Sequence, residues 1–123
     1  MSRAEWVRER FGASISQGIG FGIQAASDPT FGGGIYAWDD GAALRVFENG
    51  FTYDGSEQYR FRYDELTDLE LLDLRALMKA QRAPQEPVEF AVVTAEGRRV
   101  LRLPLLVYTT LSSVLDAIVR GDR

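Results

Sequence analysis

The sequence predicts an α+β fold in which about seven antiparallel strands form a sheet or barrel. A short N-terminal helix precedes the strands, and a C-terminal amphipathic helix caps them. Two observations carry this prediction. Several short segments alternate apolar and polar residues between turn residues, which is typical of strands with one buried face. Near the end of the chain, apolar residues recur at the spacing of one helix face.

Turn residues divide the first strands. Asn49-Gly50 fits a two-residue type I′ turn, because both residues tolerate the left-handed backbone that such a turn requires. A second turn is predicted at residues 54–56, which read Asp-Gly-Ser. We expect aromatic side chains to face the core and arginines to face water in the segment that follows, which runs Tyr59, Arg60, Phe61, Arg62, Tyr63.

A third hairpin is predicted from residues 88–93 to residues 100–103, with its turn at residues 95–97. Before it, the strand pattern runs to about Leu71, and a short helix or an irregular loop then extends to Arg82. The leucines of this segment suit a partner-binding helix or, more simply, the core.

The last helix is predicted from a single apolar stripe. Thr109 or Thr110 can cap its start, and Gly121 stands where a left-handed residue ends a helix. We expect the stripe to be buried against the sheet. Its members are Leu111, Val114, Leu115, Ile118 and Val119.

At the N-terminus, Ser2 and Glu5 form a possible capping box for a short helix that ends near Phe11. The uncharged, glycine-rich residues 11–27 are interpreted as a strand, followed by a loop and a hinge at residues 32–34. A membrane-associated helix with a small-residue stripe is the alternative for this segment. We expect one domain, residues 1–123, with the helix and glycine-rich segment in 1–34 and the sheet and capping helix in 35–123.

The composition excludes several chemistries. The chain has no histidine and no cysteine, so it cannot form a Ser-His-Asp triad, a Cys-His dyad or a His- or Cys-ligated zinc site. The acidic pairs Asp39-Asp40, Asp64-Glu65 and Asp68-Glu70 lack the spacing of an EF-hand loop. We therefore expect no enzymatic activity, no metal and no cofactor. Nothing in the sequence resembles a signal peptide or a bilayer-spanning stretch, so we expect a cytoplasmic protein. Thirteen arginines against the single Lys79 indicate a bacterial genome rich in G and C, and we expect the free protein to be a monomer.

Charge is concentrated in one segment. Residues 39–73 hold ten carboxylates and three arginines, a net charge of −7 in a chain whose net charge is −4. Such a segment repels nucleic acid and anionic membranes and attracts a basic protein surface; a solvated face that keeps the domain soluble is the alternative. Tyr36 and Trp38 lie beside it and suit a protein contact, or else belong to the core. The predicted partner-binding residues are Tyr36, Trp38, Asp39, Asp40, Glu48, Asp54 and Glu57.

Two phrases of the sequence resemble small bacterial pleckstrin-homology-like (PH/GRAM-like) domains. They are residues 44–51, Leu-Arg-Val-Phe-Glu-Asn-Gly-Phe, and residues 59–66, Tyr-Arg-Phe-Arg-Tyr-Asp-Glu-Leu. With the C-terminal helix, the resemblance covers residues 35–120. It implies two near-orthogonal antiparallel sheets, seven strands in all, closed at one end by that helix.

The resemblance implies binding without catalysis. Family members that bind phosphoinositides place lysines and arginines on the first two strands and their loop. Residues 37–41 of this chain read Ala-Trp-Asp-Asp-Gly, which is acidic at that place. We therefore predict a protein-binding module whose acidic face docks a basic protein. The module would be, for example, an immunity protein that neutralises a basic toxin. A peripheral lipid-binding membrane module is the alternative.

Overall fold

The computed structural model describes residues 2–16, 27–39, 41–72, 75, 78 and 85–121. The α+β prediction is confirmed, with a helix near each end of the chain and seven strands between them. Arg75 and Met78 are also helical. The elements are α1 (Arg3–Ser16), β1 (Gly34–Asp39), β2 (Ala43–Phe47), β3 (Gly50–Asp54), β4 (Gln58–Arg62), a 3₁₀ helix (Tyr63–Glu65), β5 (Leu66–Leu71), β6 (Pro87–Thr94), β7 (Gly97–Pro104) and α2 (Leu105–Val119).

The strands form two antiparallel sheets. The first has the order β1-β2-β3-β4 and the second the order β5-β6-β7. Within the described residues no ladder joins them into a closed barrel, so that form of the prediction is wrong. The chain divides between Asp64 and Glu65 into two compact units, which we call unit 1 and unit 2. That both units belong to a single domain of residues 1–123 stays a prediction.

The predicted hairpins of unit 1 are confirmed, but the type I′ turn is not. The two strands β2 and β3 pair from Val46 opposite Phe51 to Ala43 opposite Asp54. Neither Asn49 nor Gly50 has a positive φ, which a type I′ turn requires at both positions. Gly50 is needed for space instead, because a Cβ there would collide with the carbonyl oxygen of Phe61.

One face of the four-stranded sheet supplies the core of unit 1. Phe61 and Tyr63 are buried while Arg60 and Arg62 are exposed, so the predicted alternation is confirmed, although Tyr63 belongs to the 3₁₀ helix. The opposite face carries a smaller cluster in which the Phe31 ring packs against Phe47 at 6.1 Å. The buried side chains of the core face are Tyr36, Trp38, Leu44, Val46, Phe51, Tyr53 and Phe61.

Helix α1 starts as predicted and runs further than predicted. The Glu5 N–H donates to Ser2 Oγ at 3.2 Å and the Ser2 N–H to the Glu5 carboxylate at 3.4 Å, which confirms the capping box. The helix ends at Ser16 and not near Phe11, so the strand interpretation is wrong for residues 12–16. Ser27 is not in a strand either, and residues 17–26 lie outside the described residues. No helix in the described part of the chain is long and apolar enough to cross a membrane.

The residues predicted to form a hinge are packed. The N–H and C=O groups of Asp28 and Gly32 bond to each other in both directions, at 2.8 and 2.9 Å, which closes a short loop before β1. Gly32 has a φ of 90°, a conformation that favours glycine. Gly34 is the first residue of β1.

Unit 2 is a three-stranded sheet packed against α2. The stripe is confirmed: Leu111, Val114, Leu115 and Ile118 are buried, Val107 joins them, and Val119 is half-buried. The predicted threonine cap is wrong, because α2 begins at Leu105, directly after β7, and Thr109 Oγ1 donates back to the Leu105 carbonyl at 2.7 Å. Gly121 has a φ of 82°, as predicted for a residue that ends a helix.

Candidate functional site

The pairing of the strands in unit 1 brings three of the predicted site residues to one end of its sheet. Asp39 lies opposite Ala43, Ala43 opposite Asp54, and Asp54 opposite Gln58. Residues opposite each other point to the same face, and strands are about 4.8 Å apart, so Asp39 and Asp54 lie about 10 Å apart on one face. Glu57 stands in the adjoining turn. We call Asp39, Asp54 and Glu57 the acidic end.

The carboxylates of the acidic end differ in their partners. Arg45 holds Asp39 through two hydrogen bonds of 2.9 Å, and it also donates to the carbonyls of Trp38 and Leu44. Glu57 accepts a hydrogen bond from the Tyr59 hydroxyl at 2.8 Å, which leaves its charge in place. Asp54 is exposed at the end of β3, and within residues 2–16, 27–39, 41–72, 75, 78 and 85–121 it forms no ion pair. The uncompensated negative charge therefore sits at Asp54 and Glu57.

Glu48 belongs to a different place. It lies in the β2–β3 connection, at the opposite end of the sheet from Asp39 and Asp54. Its carboxylate pairs with Arg8 of α1 at 2.5 Å. A Cβ at Gly33 would lie 2.6 Å from Glu48 and 2.7 Å from Arg8, so this glycine makes room for the ion pair. Glu48 fastens α1 to the sheet and is not part of the acidic end.

The two predicted aromatic contacts are core residues. Tyr36 is 1% exposed and Trp38 is 7% exposed, so neither offers its ring to a partner. The Tyr36 ring packs against Phe11 at 5.1 Å, and no described residue hydrogen-bonds to its buried hydroxyl. Burial raises the pKa of Tyr36 to about 12, so its side chain is neutral at physiological pH. Asp40, the remaining predicted residue, lies outside the described residues.

Ion pairs compensate further carboxylates of unit 1. Asp64 accepts a hydrogen bond from Arg3 at 2.8 Å, instead of bonding nearby backbone as its position before β5 suggests. Asp28 is bonded by the N–H groups of Thr30 and Phe31, both at 2.8 Å, and by Arg60. Partial burial raises the pKa of Asp28, but the bonds from Phe31, Arg60 and Thr30 outweigh this effect and lower it overall.

These ion pairs are what sequence reasoning missed. Arg3 and Arg8 lie at positions three and eight of the chain, far from the carboxylates they neutralise, and nothing in the sequence indicates that α1 brings them there. Arg45 is different. The residue directly opposite Arg45 on β1 is Ala37, and Asp39 is the next residue of β1 on the same face of the sheet. This diagonal pairing follows from the register of the β1–β2 hairpin.

The described residues contain no group of three or more carboxylates that would hold a metal ion. Comparisons of the chain with models of protein families, with curated proteins and with solved structures found no match.

Proposed function

We propose that the protein is a non-catalytic, PH-like protein-binding module whose acidic end docks a basic surface of another protein. The observation that carries the proposal is the row Asp39–Ala43–Asp54–Gln58, which places two carboxylates on one face beside Glu57. Charges of one sign at one end of a sheet steer an oppositely charged partner and fix its orientation.

The sheet architecture supports the PH-like part of this proposal. The resemblance implies two antiparallel sheets with seven strands in all and a C-terminal helix, and the described strands form two antiparallel sheets followed by α2. The lipid-binding alternative receives less support. Near the β1–β2 connection the basic residue is Arg45, and its guanidinium is engaged by Asp39 on the adjacent strand. A basic toxin whose active site is covered by the acidic end remains the kind of partner we propose.

The first experiment reverses charge at the acidic end. In the double variant Asp54→Lys, Glu57→Lys, association with a basic partner should slow by about one to two orders of magnitude at low salt. The matched control is Glu9→Lys, Glu65→Lys, which changes two exposed carboxylates elsewhere and alters the net charge equally. Both variants should fold, because all four side chains are exposed.

The measurement combines recovery and kinetics. Wild type, variant and control are immobilised and exposed to a lysate of the native organism, and the association rate of any recovered basic protein is then measured against salt. The expected partner is retained by wild type and control, is lost by the variant, and binds wild type more slowly as salt rises. A partner retained equally by all three forms contradicts the proposal.

Vesicles containing phosphatidylserine provide the opposing test. Our proposal predicts that the wild type leaves these vesicles unbound, because both surfaces are negative. Lipid recognition predicts that the wild type binds and that the Asp54→Lys, Glu57→Lys variant binds more tightly. Tight binding of the wild type, with no protein partner recovered, would replace the proposed function with the membrane function.

A further inference from the structure

A groove in unit 2 lies between α2 and the strand β5. Its volume is about 280 Å³. On the strand side, Leu69 and Leu71 share a face with Val92 and Phe90, their partners on β6. On the helix side, Tyr108, Ser112 and Asp116 are spaced four residues apart and therefore lie along one face of α2. The groove is lined chiefly by Leu69, Leu71, Phe90, Tyr108, Ser112 and Asp116.

The strand beside the groove has an outer edge that no other described strand covers; we call it the free edge of β5. In the described residues β5 pairs with β6 alone, since it is an outer strand of the sheet. The Leu72 N–H donates to the Glu89 carbonyl at 3.4 Å. Because N–H and C=O groups of successive residues alternate in direction, those of Leu71 point away from β6. Leu71 and Leu72 are also 37% and 38% exposed, so an apolar edge meets solvent here.

The free edge is short. The Leu69 N–H already donates to the Asp68 carboxylate at 2.8 Å, so this donor is occupied. The backbone groups of this edge without a partner among the described residues are therefore the carbonyl of Leu69 and both groups of Leu71. An added strand that uses them aligns with residues 69–71 and directs alternate side chains toward the groove.

Charge decides which side chain fits the groove. Both charged residues in its lining, Glu70 and Asp116, are acidic. Glu70 is paired with Arg98 at 2.5 Å on the other face of the sheet. Asp116 is paired with Arg120 at 2.9 Å, but both side chains are about half exposed or more, and such pairs contribute little. Asp116 is thus available to a second cation.

The interior of the groove suits a long basic side chain. The Tyr108 ring packs against Phe90 at 5.0 Å, which gives the floor an aromatic surface. Burial raises the pKa of Tyr108, a hydrogen bond with Ser112 opposes this, and the charge of Asp116 raises it further, so Asp116 acts on the groove's interior. Lysine and arginine bury an apolar stem and keep a charged head near an acidic or aqueous site.

We propose that the free edge of β5 and the groove beside it bind an extended segment of a protein partner. The segment pairs with Leu71 as an added strand and places a lysine or arginine side chain between Leu69 and Asp116. This site shares no residue with the acidic end, so the two proposals can fail independently.

The test uses the isotope-labelled full chain and a pool of octapeptides that alternate threonine with valine or lysine, followed by nuclear magnetic resonance. Amide shifts should concentrate in residues 69–71 and 108–116. Replacing lysine by glutamate in the pool should abolish them. Asp116→Asn should weaken lysine-containing peptides about threefold, the range of one exposed ion pair.

The variant Leu71→Pro removes the outward N–H and should weaken binding about tenfold. Its matched control is Val100→Pro on β7, the other outer strand. The backbone carbonyl of Glu89 points toward β5, so the backbone groups of the next residue, Phe90, point toward β7 and bond to Leu101. The N–H of Val100, beside Leu101, therefore points outward, as that of Leu71 does. Proline is tolerated at such outward positions of outer strands. Val100→Pro should bind the peptides like wild type.

A second measurement covers the case in which Leu71→Pro fails to fold. Peptides methylated at their backbone nitrogens cannot donate to β5, so the wild type should no longer bind them. The proposal is overturned if methylated or glutamate peptides bind as tightly as lysine peptides, or if no shifts occur in residues 69–71. It is also overturned if these amides shift with protein concentration alone, because a second copy of the chain then occupies the edge.

Discussion

The two helices near the ends of the chain are held by different interactions. In α2, five apolar side chains are buried along one stripe, among them Leu111 and Leu115, which are fully buried. In the part of α1 whose side chains the structure describes, Val7 and Phe11 are buried. Two ion pairs add to these apolar contacts, one between Arg3 and Asp64 and one between Arg8 and Glu48.

This difference has an energetic consequence. Burial of a large apolar side chain stabilises a fold by about 1.5–3 kcal/mol, whereas a half-exposed ion pair contributes about 0–1 kcal/mol. We therefore expect α2 to be indispensable to unit 2. The attachment of α1 should depend on two apolar contacts, with the ion pairs mainly fixing its position on the sheet.

The largest expected effect is on α2. Leu115→Asp places an unpaired charge among fully buried side chains and should cost more than about 4 kcal/mol, enough to unfold unit 2. Circular dichroism during thermal unfolding measures this loss. The control is Thr109→Asp, an exposed position on the same helix, which should melt like wild type. A cooperative melt of Leu115→Asp at the wild-type temperature would show that the stripe is not where the structure places it.

The same difference explains what the sequence predicted. The stripe of α2 could be predicted because apolar residues recur at helical spacing from Leu111 to Val119, and the hairpins could be predicted because strands alternate around glycine turns. Residues 12–16 read Gly-Ala-Ser-Ile-Ser and carry no such stripe, so the end of α1 was missed. Helix propensity is a weak signal when packing is sparse.

The acidic end was predicted in part for a related reason. The distribution of charge along the chain indicates an acidic segment, but only the register of the sheet shows at which end each carboxylate lies. Asp39, Asp54 and Glu57 share one end, whereas Glu48 lies at the other. Tyr36 and Trp38 belong to the core, which was the alternative to a protein contact; the sequence could not decide between the two because β1 is buried from Gly34 to Trp38 and has no alternation to separate its faces.

A smaller effect is expected in α1. Phe11→Ala removes the ring that packs on Tyr36 and should lower the free energy of unfolding by about 3 kcal/mol. Urea unfolding followed by circular dichroism gives this value. The control Glu9→Ala, exposed on the same helix, should change it by less than about 0.5 kcal/mol. Equal values for both variants would mean that α1 is not packed on β1.

The smallest expected effects have opposite signs in two buried tyrosines of unit 1. The Tyr36 hydroxyl beneath α1 has no partner in the described part of the chain, so Tyr36→Phe removes a desolvated polar group and should stabilise the protein by about 1 kcal/mol. The Tyr63 hydroxyl donates to the Phe47 carbonyl at 2.8 Å, so Tyr63→Phe leaves that acceptor unpaired and should destabilise it by about 1 kcal/mol. Urea unfolding at neutral pH, where burial keeps both hydroxyls protonated, measures the free energy of unfolding of both variants.

Because each variant removes the same atom from a buried ring, a difference in sign isolates the hydrogen bond. Destabilisation by Tyr36→Phe as large as that by Tyr63→Phe would show that the Tyr36 hydroxyl has a partner, and that α1 contributes a polar contact to β1 as well as the Phe11 ring.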